Sequence, residues 1–169
     1  MKKRLNKKAG VTPAFTMVEL VFVIVVLGVL AAVAIPKLAA SRDDAVLVKG
    51  KSQISAIRSG IAMQKSKRLL EGKSTPSFIP RTLDANGSPS ELFHGGDFGN
   101  ILEYGLPDGT KDGNWEKKST QASTPPNIEY DFHMEGTTVR FTYLSATGRF
   151  DCNRTSGATN IDKCKLLTQ

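Results

Sequence analysis

In this chain of 169 residues with a net charge of +7, five cations (Lys2, Lys3, Arg4, Lys7 and Lys8) precede the first acid, and the part after Ala14 carries 18 basic and 16 acidic side chains. That near balance in the folded part is no nucleic-acid footprint, so nucleic acid is not expected to be a direct partner. Only two cysteines are present, without histidines nearby, which excludes a zinc site, and the stretch from about residue 43 onward is long enough for one small domain with one modest core.

Residues 1–14 form a basic leader. Behind it runs FTMVELVFVIVVLGVLAAVAIP, Phe15 to Pro36, apolar throughout apart from Thr16 and Glu19. As a helix, Phe15 to Ile35 would measure about 30 Å, enough to cross the hydrocarbon core of a bilayer. The cations ahead of it should stay in the cytoplasm, which sends the rest of the chain to the other side. A secretory signal has the same outline, and Ala32-Val33-Ala34 offers a cleavage site for an ordinary signal peptidase. Two residues argue against that alternative. A carboxylate at the bilayer centre costs about 2.5–3.5 kcal/mol, somewhat less near an end, and a simple signal has no use for Glu19. Pro36, directly behind Ile35, fixes backbone that a peptidase must hold extended.

The string Ala14-Phe15-Thr16-Met17-Val18-Glu19-Leu20 and its apolar continuation resembles the N-terminal signature of type IV pilins and of the pseudopilins of type II secretion and DNA-uptake machines. The resemblance implies cleavage by a prepilin peptidase between Ala14 and Phe15, N-methylation of Phe15, and assembly into a filament. Cutting there makes Glu19 the fifth residue and Pro36 the twenty-second, the two positions at which that family carries Glu and commonly Pro. The chain departs from the pattern in having Ala14 where Gly is usual. A buried carboxylate needs a cation, and cleavage creates one at the amine of Phe15; on a neighbouring subunit the two would neutralise each other inside lipid. Pro36, and to a smaller extent Gly28, should bend or loosen the helix and help subunits pack. The partners so implied are other copies or other pilin-like subunits, the peptidase, an inner-membrane assembly platform with its ATPase, and membrane lipid. The expected location is the inner membrane, single-pass, with the C-terminal domain in the periplasm and then in an extracytoplasmic filament.

Residues 37–71 continue in a helical pattern, with Ser41-Arg42-Asp43-Asp44 marking the exit from the membrane. Leu47, Ile54, Ile57 and Ile61 line one face, while Lys51, Arg58 and Lys65 run along an edge expected to be solvated or to face another subunit. Gly72 and Pro76 predict the stop. The result is one helix of roughly 55 residues, its half at 15–42 in or protruding from the membrane and the remainder packed on the domain at 43–169. Gly50 and Gly60 should weaken it by about 1 kcal/mol each relative to Ala.

From 72 to 126 there are eight glycines and six prolines, which predicts a long irregular loop. Within it, Ser88-Pro89-Ser90-Glu91 has capping-box spacing and predicts a short helix through Leu92-Phe93 ended by Gly95-Gly96. Ile128 to Met134 and Val139 to Tyr143 alternate apolar and polar residues about a turn at Glu135-Gly136, an antiparallel hairpin whose apolar face suits the Leu47 to Ile61 stripe. Thr147-Gly148 predicts a second turn before a strand at Arg149-Phe150. Cys152 and Cys164, both outside the cytoplasm, should form a disulfide worth about 3 kcal/mol, stapling a floppy tail, Asn153 to Lys163, onto the sheet. The expected fold is α+β and pilin-like, a long N-terminal helix on a small antiparallel sheet.

No catalytic constellation emerges. Ser90, His94 and Asp97 lie close together in a Gly-rich stretch without an oxyanion-hole signature. Asp108, Thr110, Asp112 and Gly113 match the start of a calcium loop, but the twelfth position is Ser119 instead of Glu, so Asp108 and Asp112 are an incomplete calcium candidate and no cofactor is expected. The sequence therefore reads as a structural filament subunit, a pseudopilin ahead of a surface pilin. The rivals are a periplasmic ligand-binding domain released after Ala34 and a membrane-tethered hydrolase; the second lacks a catalytic set.

Overall fold

A computed structural model describes residues 15–74, 78–84, 91–121, 127–153 and 160–169. The chain divides into two units, residues 1–40 and 41–169. A single helix, α1 (Met17–Leu70, 54 residues), supplies the regular structure among the described residues of the first and continues into the second. Its C-terminus is built as the sequence predicts. Gly72 takes φ 77°, its N–H reaches Leu69 O (3.0 Å), and Lys73 N–H reaches Arg68 O (3.1 Å). This pair of bonds is a Schellman ending, which needs a residue that tolerates a left-handed conformation.

In the second unit α1 packs on a four-stranded antiparallel sheet in the order β3 (Trp115–Gln121), β4 (Asn127–Met134), β5 (Thr137–Leu144), β6 (Arg149–Cys152). The hairpin is where the alternation puts it, with Tyr130 opposite Phe141 and Phe132 opposite Val139. Glu135 (φ 49°) and Gly136 (φ 66°) both take positive φ, the tight turn whose twist matches two antiparallel strands. One sheet face is apolar and closes on Ile54, Ile57 and Ile61 of α1, while Leu47 is partly buried against the same cluster. Trp115 is fully buried at its centre, with ring centroids 4.9 Å from Phe132 and 5.2 Å from Phe141, and its Nε1 donates to Gln53 Oε1 on α1 (3.0 Å).

Several expectations are corrected. The short helix through Leu92-Phe93 is absent. Glu91–Leu92 is instead a strand, β1, paired with β2 (Leu106–Pro107), and Phe93 sits at φ 62°. Tertiary contacts override the local signal, because Leu92 and Phe93 are both buried and the Phe93 N–H donates to the buried carboxylate of Asp84 (2.6 Å). Asp84 also accepts from Tyr130 Oη (2.5 Å) and pairs with Lys117 (3.1 Å), so it ties the loop to β3 and β4. The tail is not floppy throughout: Ile161–Thr168 forms a second helix, α2, with Cys164 and Leu167 buried. The Cys152–Cys164 disulfide is present. Residues 115–121, expected to be irregular, form edge strand β3, whose register shifts between Lys117 and Ser119. The Arg58 and Lys65 edge is neither simply solvated nor free. Arg58 donates to Phe150 O (3.0 Å) and Asp151 (2.9 Å) of β6, and Lys65 to Thr147 O (3.1 Å) in the β5–β6 connection.

Gly50 and Gly60 are sites of close approach. A Cβ at Gly50 would meet the Phe132 ring at 2.7 Å and Leu167 at 2.8 Å, and one at Gly60 would collide with the backbone carbonyl of Ile101. Helix propensity alone favours Ala at position 60 by about 1 kcal/mol. Because the obstacle is backbone, we expect G60A to lose about 1–3 kcal/mol, read as a lower denaturant midpoint at unchanged slope. A higher midpoint would show that the loop at Ile101 is not held against α1.

Two buried phenols predict the alkaline limit of the domain. Burial first, then the neighbouring Asp84 carboxylate, holds Tyr130 well above 10.0; burial first, then Asp97, likewise raises Tyr143, whose Oη donates to Pro80 O (2.5 Å). The unfolded chain loses these protons first as pH rises past about 10. Their stabilisation is therefore intact below that pH and decreases above it. Denaturant titrations at about pH 8 and about pH 11 should show a smaller loss in Y130F than in the unaltered chain, and equal losses would remove Tyr130 from this role.

Candidate assembly surface

Helix α1 starts in a specific way. Thr16 is its N-cap, and its Oγ1 accepts the N–H of Glu19 (3.2 Å), while Glu19 Oε2 accepts the N–H and the hydroxyl of Thr16 (both 3.3 Å). This is the reciprocal capping box, which satisfies two of the backbone donors that a helix start leaves open. It also places the acid in the first turn, where the positive end of the helix dipole favours it. Sequence reasoning passed over Thr16, although its signal, Thr three residues ahead of Glu at the head of an apolar run, is legible.

Every described side chain from Phe15 to Leu38 is exposed. Phe15 is 82% exposed and Leu30 61%, so among the described residues none covers this part of α1. The helix is long and apolar enough to cross a membrane. Pro36 lies inside α1, and a Cβ at Gly28 would meet nothing within 4 Å. The lack of a side chain at position 28 thus answers no crowding among the described residues. Ala14 lies outside the described residues.

Asp112 accepts the Gly136 N–H (3.3 Å) and faces Arg42 (3.7 Å), and the backbone of Asp108 pairs in parallel with that of Trp115. Among the described residues, no three Asp, Glu, His or Cys side chains gather as an ion site. Asp97 accepts from the N–H groups of Arg81 (3.0 Å) and Thr82 (3.1 Å), clamping two loop segments together; His94 lies 3.8 Å from Glu91, and Ser90 lies outside the described residues. On the outer face of the sheet, Glu116 bonds Lys118 (2.7 Å) and His133 (3.1 Å); the Lys118 bond, foremost, keeps its carboxyl below the usual range. These are satisfied surface pairs and do not point to general acid–base work.

Comparisons with protein-family models, with characterised proteins and with solved structures returned no match.

Proposed function

We propose that this chain is a structural subunit of a type IV pilus-like filament, in particular a pseudopilin of a type II secretion or DNA-uptake system. The observation that carries the reading is the first part of α1: an apolar helix exposed among the described residues, interrupted only near its start by a carboxylate held in a capping box. In this reading a prepilin peptidase cuts between Ala14 and Phe15, and the new amine of Phe15 is methylated. Residues 15–42 anchor the subunit in the inner membrane, with the domain at 43–169 in the periplasm. Subunits then leave the bilayer together with an assembly platform and its ATPase. Each apolar helix exchanges lipid for its neighbours, and Glu19 meets the amine of an adjacent copy. The role is mechanical, and no reaction is assigned to the chain.

Intact-mass and N-terminal peptide analysis of the protein from its native membrane tests this directly. The expected chain starts at N-methylated Phe15. A start at Ile35, or a retained leader, would overturn the reading, and the first of these would favour a released periplasmic domain. E19A should stay in the membrane without assembling, since removing the carboxylate leaves the neighbour's amine uncompensated in an apolar surround; normal filaments from E19A would refute the role given to Glu19.

A further inference from the structure

Two of the chain's seven asparagines, Asn86 and Asn153, stand two residues ahead of a hydroxyl side chain with no proline between: Asn86-Gly87-Ser88 and Asn153-Arg154-Thr155. That is the acceptor pattern for N-linked oligosaccharide, a surface modification made outside the cytoplasm. An aspartate also precedes each asparagine by two residues, Asp84 in the first and Asp151 in the second. The result, D-x-N-x-S/T, is the longer form that periplasmic oligosaccharyltransferases read, with an anion and a hydroxyl to hold on either side of the amide. The other five asparagines lack Ser or Thr at that position and are excluded.

The surroundings of the two aspartates separate the sites. Asp84 is buried, and its carboxylate is taken by the Phe93 N–H (2.6 Å), Tyr130 Oη (2.5 Å) and Lys117 (3.1 Å), so the anion of the first site is withdrawn from an enzyme. Asn153 is exposed, one residue beyond β6, which is the last strand of the sheet. The Cys152–Cys164 disulfide fixes the point at which this acceptor leaves the sheet. Asp151 is partly exposed, and its carboxylate bridges Arg58 (2.9 Å) and the 70% exposed Arg149 (3.0 Å). So exposed a pair is weak, and Arg149 can cede its oxygen to a cation on an approaching enzyme. Arg154 and Thr155 lie outside the described residues and contribute here by their identity.

We propose that Asn153 is an N-glycan acceptor whose donor is an oligosaccharide carried on a polyprenyl diphosphate in the same membrane. The proposal rests on the reading above only in placing the domain outside the cytoplasm. In the transfer, Nδ2 of Asn153 bonds to C1 of the first sugar and gives up one proton. The C1–O bond to the diphosphate breaks, its electron pair leaves with the polyprenyl diphosphate, and no oxidant or reductant is needed. Anchoring donor and acceptor in one bilayer confines both to one surface, which raises their effective concentration.

Peptide mapping of the full chain from its native membrane tests this. After reduction, the tryptic peptide that begins at Phe150 should carry an oligosaccharide on Asn153, and the intact chain should be heavier by the same increment. N153Q and T155A should each lose the increment entirely, while T155S keeps it. An unmodified Asn153 in the native chain, an increment that survives N153Q or T155A, or a glycan at Asn86 in place of Asn153 would overturn the proposal. The same digest reads the N-terminus. Bare Asn153 in a chain starting at N-methylated Phe15 fails this inference alone, whereas glycosylated Asn153 in a chain starting at Ile35 fails the filament reading alone.

Discussion

The sheet of the second unit has one apolar face, and α1 is the element that closes it. Ile54, Ile57 and Ile61 seal the aromatic layer formed by Trp115, Tyr130, Phe132 and Phe141. Much else in that unit follows from how closely the helix must lie. Phe132 and Leu167 press into the space left at Gly50, and the Ile101 backbone into that at Gly60. Gln64 donates to Asn100 O (2.7 Å) and Arg68 lies over the Phe98 ring (3.8 Å), so polar contacts beyond the close approach at Gly60 lay the loop along the helix. A larger residue at either glycine would push apart two layers whose contacts are optimal only over a few tenths of an ångström.

Where one periodicity governed a stretch, the sequence was readable. The long helix, its glycine stop, the Ile128 to Tyr143 hairpin with its two-residue turn, and the partnership of stripe and sheet all rest on repeating patterns that local chemistry enforces. Where distant residues decide, it was not. The strand at Glu91–Leu92 exists because Asp84 and the core hold Phe93, and no property of Ser-Pro-Ser-Glu announces that. In WEKKSTQ, Lys117 turns inward to a buried carboxylate and the ladder slips at the next residue, so the alternation that marks a strand is missing. The C-terminal helix is eight residues long, too short for its own propensity to stabilise it. Its partners are elsewhere: the disulfide, the burial of Leu167, and Lys163 reaching Glu135 (2.9 Å) and Thr137 (2.9 Å).

The candidate surface was legible in composition but not in detail. Glu19 stands out in any reading of the apolar run, because a lone carboxylate there demands a reason. The Thr16 partnership supplies one that needs no second subunit: the acid completes the helix start. This changes the energetics of the proposed assembly step. Glu19 does not wait as a bare charge in the monomer, since its Oε2 already accepts two bonds from Thr16. An incoming amine must therefore compete with a capping interaction worth about 0.5–2 kcal/mol. It can do so because an ammonium and a carboxylate brought together in a low-dielectric surround attract far more strongly than a neutral donor and the same acid. Near water the advantage shrinks, and the capping box holds. A carboxylate so placed would favour the monomer at an aqueous interface and the neighbour within an apolar one, which is the selectivity an assembly that begins in lipid requires.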